Sequence, residues 1–237
     1  AEDLDTSQRA KAMELLAHTA VRLSASGDYD LAQILFSAGV AGLEQSASPG
    51  VAAGYRTAWA ESLYENGKLE EAARVVAPID STHLGFALDV EALRAQLLLA
   101  EDRPQDAVAA LNPLLTAECE SAAGNDRFGL ARGWALRSWA RYRSGEREEA
   151  LADARKACDV LIPAEHPDAA PALLTLAMEA ADEDPELADA YLQEGTRLIC
   201  DSAKITSRTK ASRLTELARC LDRKSTRLNS SHGYISY

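Results

Sequence analysis

Aromatic residues make up only 5% of this 237-residue chain, and it holds just 13 glycines and 8 prolines. So few turn-forming residues argue against an architecture of many short strands joined by tight turns. Basic residues are short as well, with 25 Lys and Arg against 37 Asp and Glu, a formal net charge of -12. Phosphate backbones and anionic membrane surfaces need clustered lysine and arginine, so neither nucleic acid nor membrane is expected as a partner. No apolar run approaches a membrane span of about 18 residues. The longest uncharged candidate, Leu31 to Leu43, is 13 residues and includes Gln33 and Ser37.

The four cysteines, Cys119, Cys158, Cys200 and Cys220, form no CxxC pair. A disulfide framework or a zinc site would need tighter spacing, so ordinary helix-borne thiols are expected. Such thiols fit a reducing, cytoplasmic compartment. Histidine is equally sparse. His18, His83, His166 and His232 are far apart, and each reads as a surface or half-buried residue rather than a ligand. There is no GxxxxGK[ST] loop, GxGxxG, GxSxG or HExxH. The run Asp182-Glu183-Asp184 lacks the alternating ligands, glycine and distal glutamate of a calcium loop, and Pro185 follows it. It reads as a solvated turn. No catalytic residue, cofactor or metal is expected, and an enzyme within these residues is not.

What the chain does have is alanine, the best helix former, within a 47% hydrophobic composition that excludes disorder. It also has an internal repeat. Five segments read SGDYDLA, ENGKLEEA, AEDRPQDA, RSGEREEA and ADEDPELA. Their turn markers are Gly27, Gly67, Asp102, Gly145 and Glu183, at intervals of 40, 35, 43 and 38 residues. Each marker is followed five residues later by an alanine: Ala32, Ala72, Ala107, Ala150 and Ala188. A glycine or short polar residue ends one helix, acids in the first turn of the next suit its dipole, and the alanine marks a close helix crossing. Pro78 and Pro113 sit at one shared offset and are expected to end or kink their helices. The pattern predicts helices over 7–25, 29–45, 51–66, 69–79, 84–101, 105–117, 127–144, 147–162, 169–181, 186–200 and 203–221.

These segments resemble tetratricopeptide repeats. The second segment carries Trp59, Ala60, Leu63, Gly67 and Ala72 on family positions; the first carries Leu16, Ala20, Leu23, Gly27, Tyr29, Ala32 and Phe36; the fourth carries Trp134, Gly145 and Ala150. The resemblance spans roughly residues 10 to 200, with intervals above the family's usual 34. Residues 163–177, PAEHPDAAPALLTLA, resemble the linker of kinesin-light-chain-type repeats found in bacterial signalling proteins. The fold implied is all-α, a right-handed α-solenoid of antiparallel helix pairs with about five repeats and an unpaired terminal helix. The function implied is binding of a peptide or protein partner in the groove. Groove positions carried over from the family are Thr57, Glu61 and Tyr64, then Asp89 and Gln96, then Arg132, Trp139, Tyr142 and Arg143. Trp139, Tyr142 and Arg143 share one helical face, and aromatics with arginine dominate interface hot spots. The arginines beside them suit a peptide carboxylate or acidic side chain. The competing reading packs Trp139 and Tyr142 against the neighbouring repeat. The lysine and asparagine set of the chaperone-tail-binding subclass is missing.

Residues 222–237, DRKSTRLNSSHGYISY, turn basic, Ser-rich and aperiodic. They resemble the translation of a common short-read sequencing adapter. That resemblance implies a disordered, non-native tail, and a helical repeat domain over 1–221 that is a fragment of a longer protein. High alanine and arginine usage points to a GC-rich bacterial genome. The alternative to a free-standing scaffold is the sensory or docking region of a larger bacterial regulator, attached to a kinase, an ATPase or a helix-turn-helix domain.

Overall fold

In the computed structural model, which describes residues 5–45, 49–81, 86–116, 127–202, 210, 211, 213–215 and 218, helix ends follow local chemistry. Helix α1, Thr6–Ser26, opens on a capping box. Asp5 accepts from the Gln8 amide at 2.8 Å, and the Gln8 side chain accepts from the Asp5 amide at 3.2 Å. Helices α2 (Tyr29–Gln45), α3 (Pro49–Glu65), α4 (Leu69–Val76), α5 (Ala87–Ala100) and α6 (Pro104–Leu111) follow. Then come α7 (Arg127–Ser144), α8 (Arg147–Leu161), α9 (Ala170–Ala180) and α10 (Pro185–Asp201). The described residues contain no strand.

The repeated turn has one backbone design. Gly27, Gly67 and Gly145 are left-handed, with φ of 90°, 76° and 91°. In each case the following amide bonds back five residues: Asp28 to the Leu23 carbonyl, Lys68 to Leu63 and Glu146 to Arg141, at 2.9 to 3.0 Å. This closure satisfies carbonyls that a helix end would otherwise leave bare. Asp102 makes the same turn without glycine, at φ 62°, with Arg103 bonded to the Leu98 carbonyl at 2.9 Å. Aspartate is among the few residues that tolerate this conformation. The turn before α10 is built otherwise. Its Asp184 amide reaches the Ala180 carbonyl at 2.7 Å, and the Asp184 side chain caps α10 by accepting from the Leu187 amide at 3.0 Å. The Asp182–Asp184 run is thus a capped turn.

Two helices stop well before their predicted C-terminal ends. Helix α4 stops at Val76 rather than 79, and α6 at Leu111 rather than 117, where a 3-10 turn over Asn112–Leu114 takes over. Pro78 and Pro113 explain both ends, since proline has no amide to donate and its ring clashes with the preceding turn. The helix expected over 203–221 falls mostly outside the described residues, as does the 222–237 tail. Positions 213–215 are helical, and Leu214 packs against the core.

Packing follows the small residues. Ala32, Ala72, Ala107 and Ala150 have no exposed surface, and Ala188 is buried. Each helix of a consecutive couple (α1 with α2, α3 with α4, α5 with α6, α7 with α8, α9 with α10) packs along its neighbour. The odd-numbered helices also touch in series, α1 with α3, α3 with α5, α5 with α7 and α7 with α9. At Gly39 the crossing of α1 and α2 is so close that a methyl group would sit 2.9 Å from the Ala17 nitrogen and 3.0 Å from the Met13 carbonyl oxygen.

One interior junction is ionic. Arg137 forks onto Asp153 at 2.7 and 2.8 Å, and both side chains are almost fully buried. Arg141 adds a third bond to Asp153 at 2.7 Å. The far end of Arg137 donates to the Leu115 carbonyl and the Asn112 side chain, each at 3.3 Å. The network ties the end of α6 to α7 and α8.

Candidate functional site

The nine groove positions read from the sequence separate into two groups with different surroundings, and a third set stands apart. Thr57 is buried, and its hydroxyl donates to the Ala53 carbonyl one turn back at 2.9 Å. Tyr64 and Gln96 are half-buried, Tyr64 against the core built by α3, α4 and α5.

Trp139, Tyr142 and Arg143 form the first group, and it faces inward. Trp139 is only 6% exposed. Its ring stacks on Tyr142 with centroids 5.9 Å apart, and the Arg143 guanidinium lies 6.0 Å from its centre. The Tyr142 hydroxyl donates to the Met178 carbonyl at 3.3 Å. Arg143 donates to the Leu99 carbonyl at 2.9 Å and pairs with Asp102. The set therefore bolts α7 to the end of α5 and to α9. Periodicity cannot separate this outcome from an open hot spot, because both put aromatics at helical spacing. The expectation that Trp139 lines a groove is corrected here: its face is covered by neighbouring helices.

Glu61, Asp89 and Arg132 form the second group, and α3, α5 and α7 bring them together. Arg132 bonds Asp89 at 2.8 Å through one amine and Asp168 at 2.6 Å through its Nε. Asp168 lies in the 3-10 turn Pro167–Ala169 and also takes Arg213 at 2.7 Å. His166, which caps that turn by accepting from the Asp168 amide at 3.3 Å, lies 3.6 Å from the Asp168 carboxylate. At the edge, Phe128 is 49% exposed, one turn before Arg132, with its ring 6.3 Å from that of His166.

The electrostatics of this group are uneven. Burial alone would raise the Asp168 carboxyl, but Arg213, Arg132 and His166 overcome it and hold the group below its usual range. Glu61 behaves in the opposite way. Desolvation pushes it up to about 7; Arg132 opposes that rise, while Asp89, Glu65 and Asp168 add to it. No hydrogen bond or ion pair reaches the Glu61 carboxylate among the described residues. The arginines expected to receive a partner's carboxylate are occupied. Arg132 holds Asp89 and Asp168, and Arg143 holds Asp102. That expectation is therefore corrected too: an acidic partner would have to displace internal carboxylates.

Sequence reasoning did not find Asp168, His166, Arg213 or Phe128. The first two lie in the 163–177 segment, which was read as a linker. No local pattern ties Arg213 to a residue so far back in the chain. His18 is exposed, and His83 lies outside the described residues. Cys158 is buried, and burial pushes its thiol up to about 12; Cys200 is exposed; Cys119 and Cys220 lie outside the described residues. The described residues hold no group of three or more His, Cys, Asp or Glu able to take a metal ion. None of their helices is long and apolar enough to cross a membrane.

No family model, curated protein or solved structure matches the chain.

Proposed function

We propose that the chain is a tetratricopeptide-like array, a right-handed solenoid of antiparallel helix pairs, and that it binds a peptide or protein segment along the face of its odd-numbered helices. The architecture is supported by four turns of one backbone design, by fully buried alanines after each, and by odd-numbered helices that touch in series. In such a stack each unit contacts its neighbours and the first helices line a continuous concave surface. The observation that carries the binding role is the gathering of Glu61 from α3, Asp89 from α5, Arg132 from α7 and Asp168 from the 3-10 turn. Side chains contributed by several repeats suit an extended ligand that crosses them in turn. Trp139 and Arg143 do not belong to this face.

Selection from a random peptide library displayed on phage, with the full chain as bait, tests the reading. Enriched peptides are expected to lose binding to Tyr64→Ala and Gln96→Lys but to keep it with Leu31→Ser on α2. Peptides that ignore the α3 and α5 changes but map to α2, α4, α6 or α8 would refute it.

A further inference from the structure

We propose that the Glu61 and Asp89 carboxylates on this face receive a lysine or arginine side chain from the bound peptide. The inference rests on the groove reading above and adds the chemistry of the partner.

Charge matching comes first. Three carboxylates meet here, Glu61 from α3, Asp89 from α5 and Asp168 from the 3-10 turn. Two guanidiniums answer them, and both are spent on Asp89 and Asp168. Glu61 is left with no direct partner among the described residues in a desolvated position, where an unpaired carboxylate is costly. It resolves that cost by holding a proton close to neutral pH. A cation that displaced the proton would complete the network. Asp89 is within reach of the same cation, since its side chain stays 44% exposed while it holds Arg132 through one oxygen.

The type of cation follows from the surroundings. Among the described residues the carboxylates are not grouped as metal ligands, which favours a side-chain cation over a metal ion. A long basic side chain has a further anchor. Phe128 offers an exposed aromatic ring at the rim, one turn from Arg132, where an alkyl stem or a guanidinium can lie. An acidic chain attracts basic peptides everywhere over its surface, so the experiment separates this site from the general field.

The probes are three fluorescein-labelled peptides of one Gly-Ser backbone, carrying lysine and arginine, glutamate, or alanine at the same positions, followed by anisotropy at physiological salt. The basic peptide alone is expected to bind. Glu61→Gln and Asp89→Asn should each weaken it about tenfold, the worth of one charge-assisted bond. Neutralising two remote acids, Glu183→Gln with Glu186→Gln, should leave it unchanged. Calorimetry near neutral pH, in two buffers of different ionisation enthalpy, should show proton release on binding to the native chain and none with Glu61→Gln. Basic-peptide binding that is indifferent to Glu61→Gln would overturn the assignment as diffuse attraction. Equal binding of spermidine would overturn it in favour of a free-amine site. If library peptides map to Tyr64 and Gln96 but are neutral or acidic, the groove stands and the charge assignment falls. If no peptide maps there, both fall.

Discussion

Replacing Asp153 with asparagine keeps the shape of a buried side chain and removes one charge. Asp153 and Arg137 are 4% and 7% exposed, and the aspartate accepts three bonds of 2.7 to 2.8 Å from two arginines. The change leaves Arg137 as a buried cation with no counter-charge, while Arg141 retains only Glu146 at 3.6 Å. Breaking a buried pair from one side costs about 3–5 kcal/mol. For a chain of this size that is a fall in melting temperature of roughly 6–20 °C. The paired replacement Arg137→Met with Asp153→Leu abolishes both charges together. It still loses the donors to Asn112 and Leu115, at about 1 kcal/mol each. The double variant should therefore be about 1–3 kcal/mol more stable than Asp153→Asn. Urea unfolding followed by the fluorescence of Trp134 and Trp139, both on α7 beside the network, reads the difference. A loss below about 1 kcal/mol in the single variant, or a double variant no better than it, would refute a closed ionic junction.

Trp139→Ala should cost about 3–5 kcal/mol, the usual figure for emptying a buried aromatic site, and thermal unfolding measures it; a loss under 1 kcal/mol would return Trp139 to the groove. Glu61 makes stability depend on pH with a definite sign. Its carboxyl lies near 4.5 when unfolded and about 7 when folded, so its favourable contribution is complete below 4.5 and is lost as pH rises through 7. Glu61→Gln should match the native chain in acid and exceed it above neutrality by at most about 3 kcal/mol, in urea midpoints compared across that range; equal midpoints at high pH would show the carboxyl to be well solvated.

The elements were legible because their signals are local. Turn residues, first-turn acids and alanines act within a few residues of themselves, and the helices they predict lie within one or two residues of most observed bounds. The misjudged ends at Val76 and Leu111 came from letting hydrophobic periodicity outrun Pro78 and Pro113. The site was half legible. Glu61, Asp89 and Arg132 were placed by repeat position alone, whereas Asp168 and Arg213 depend on how distant turns meet. Trp139 was misjudged because a helical stripe looks the same from outside whether or not a neighbour covers it. The third turn gave no glycine to read, yet Asp102 adopts the same backbone.

The reach of the charged face has a consequence for the order in which the molecule comes together. Most contacts join a helix to the next one along, and such local hairpins close quickly. The link from α3 through Arg132 and Asp168 to Arg213 is different, because it draws on residues from the first third of the chain and from near its end. During synthesis from the N-terminus, the early hairpins can close while Arg213 is still to be made. Until Arg213 arrives, Asp168 lacks one of the cations that keep it ionised, and the balance of charge around Glu61 is unfinished. The complete charge cluster thus waits on a residue made late, and a chain that stopped before Arg213 would leave Asp168 with one cation fewer.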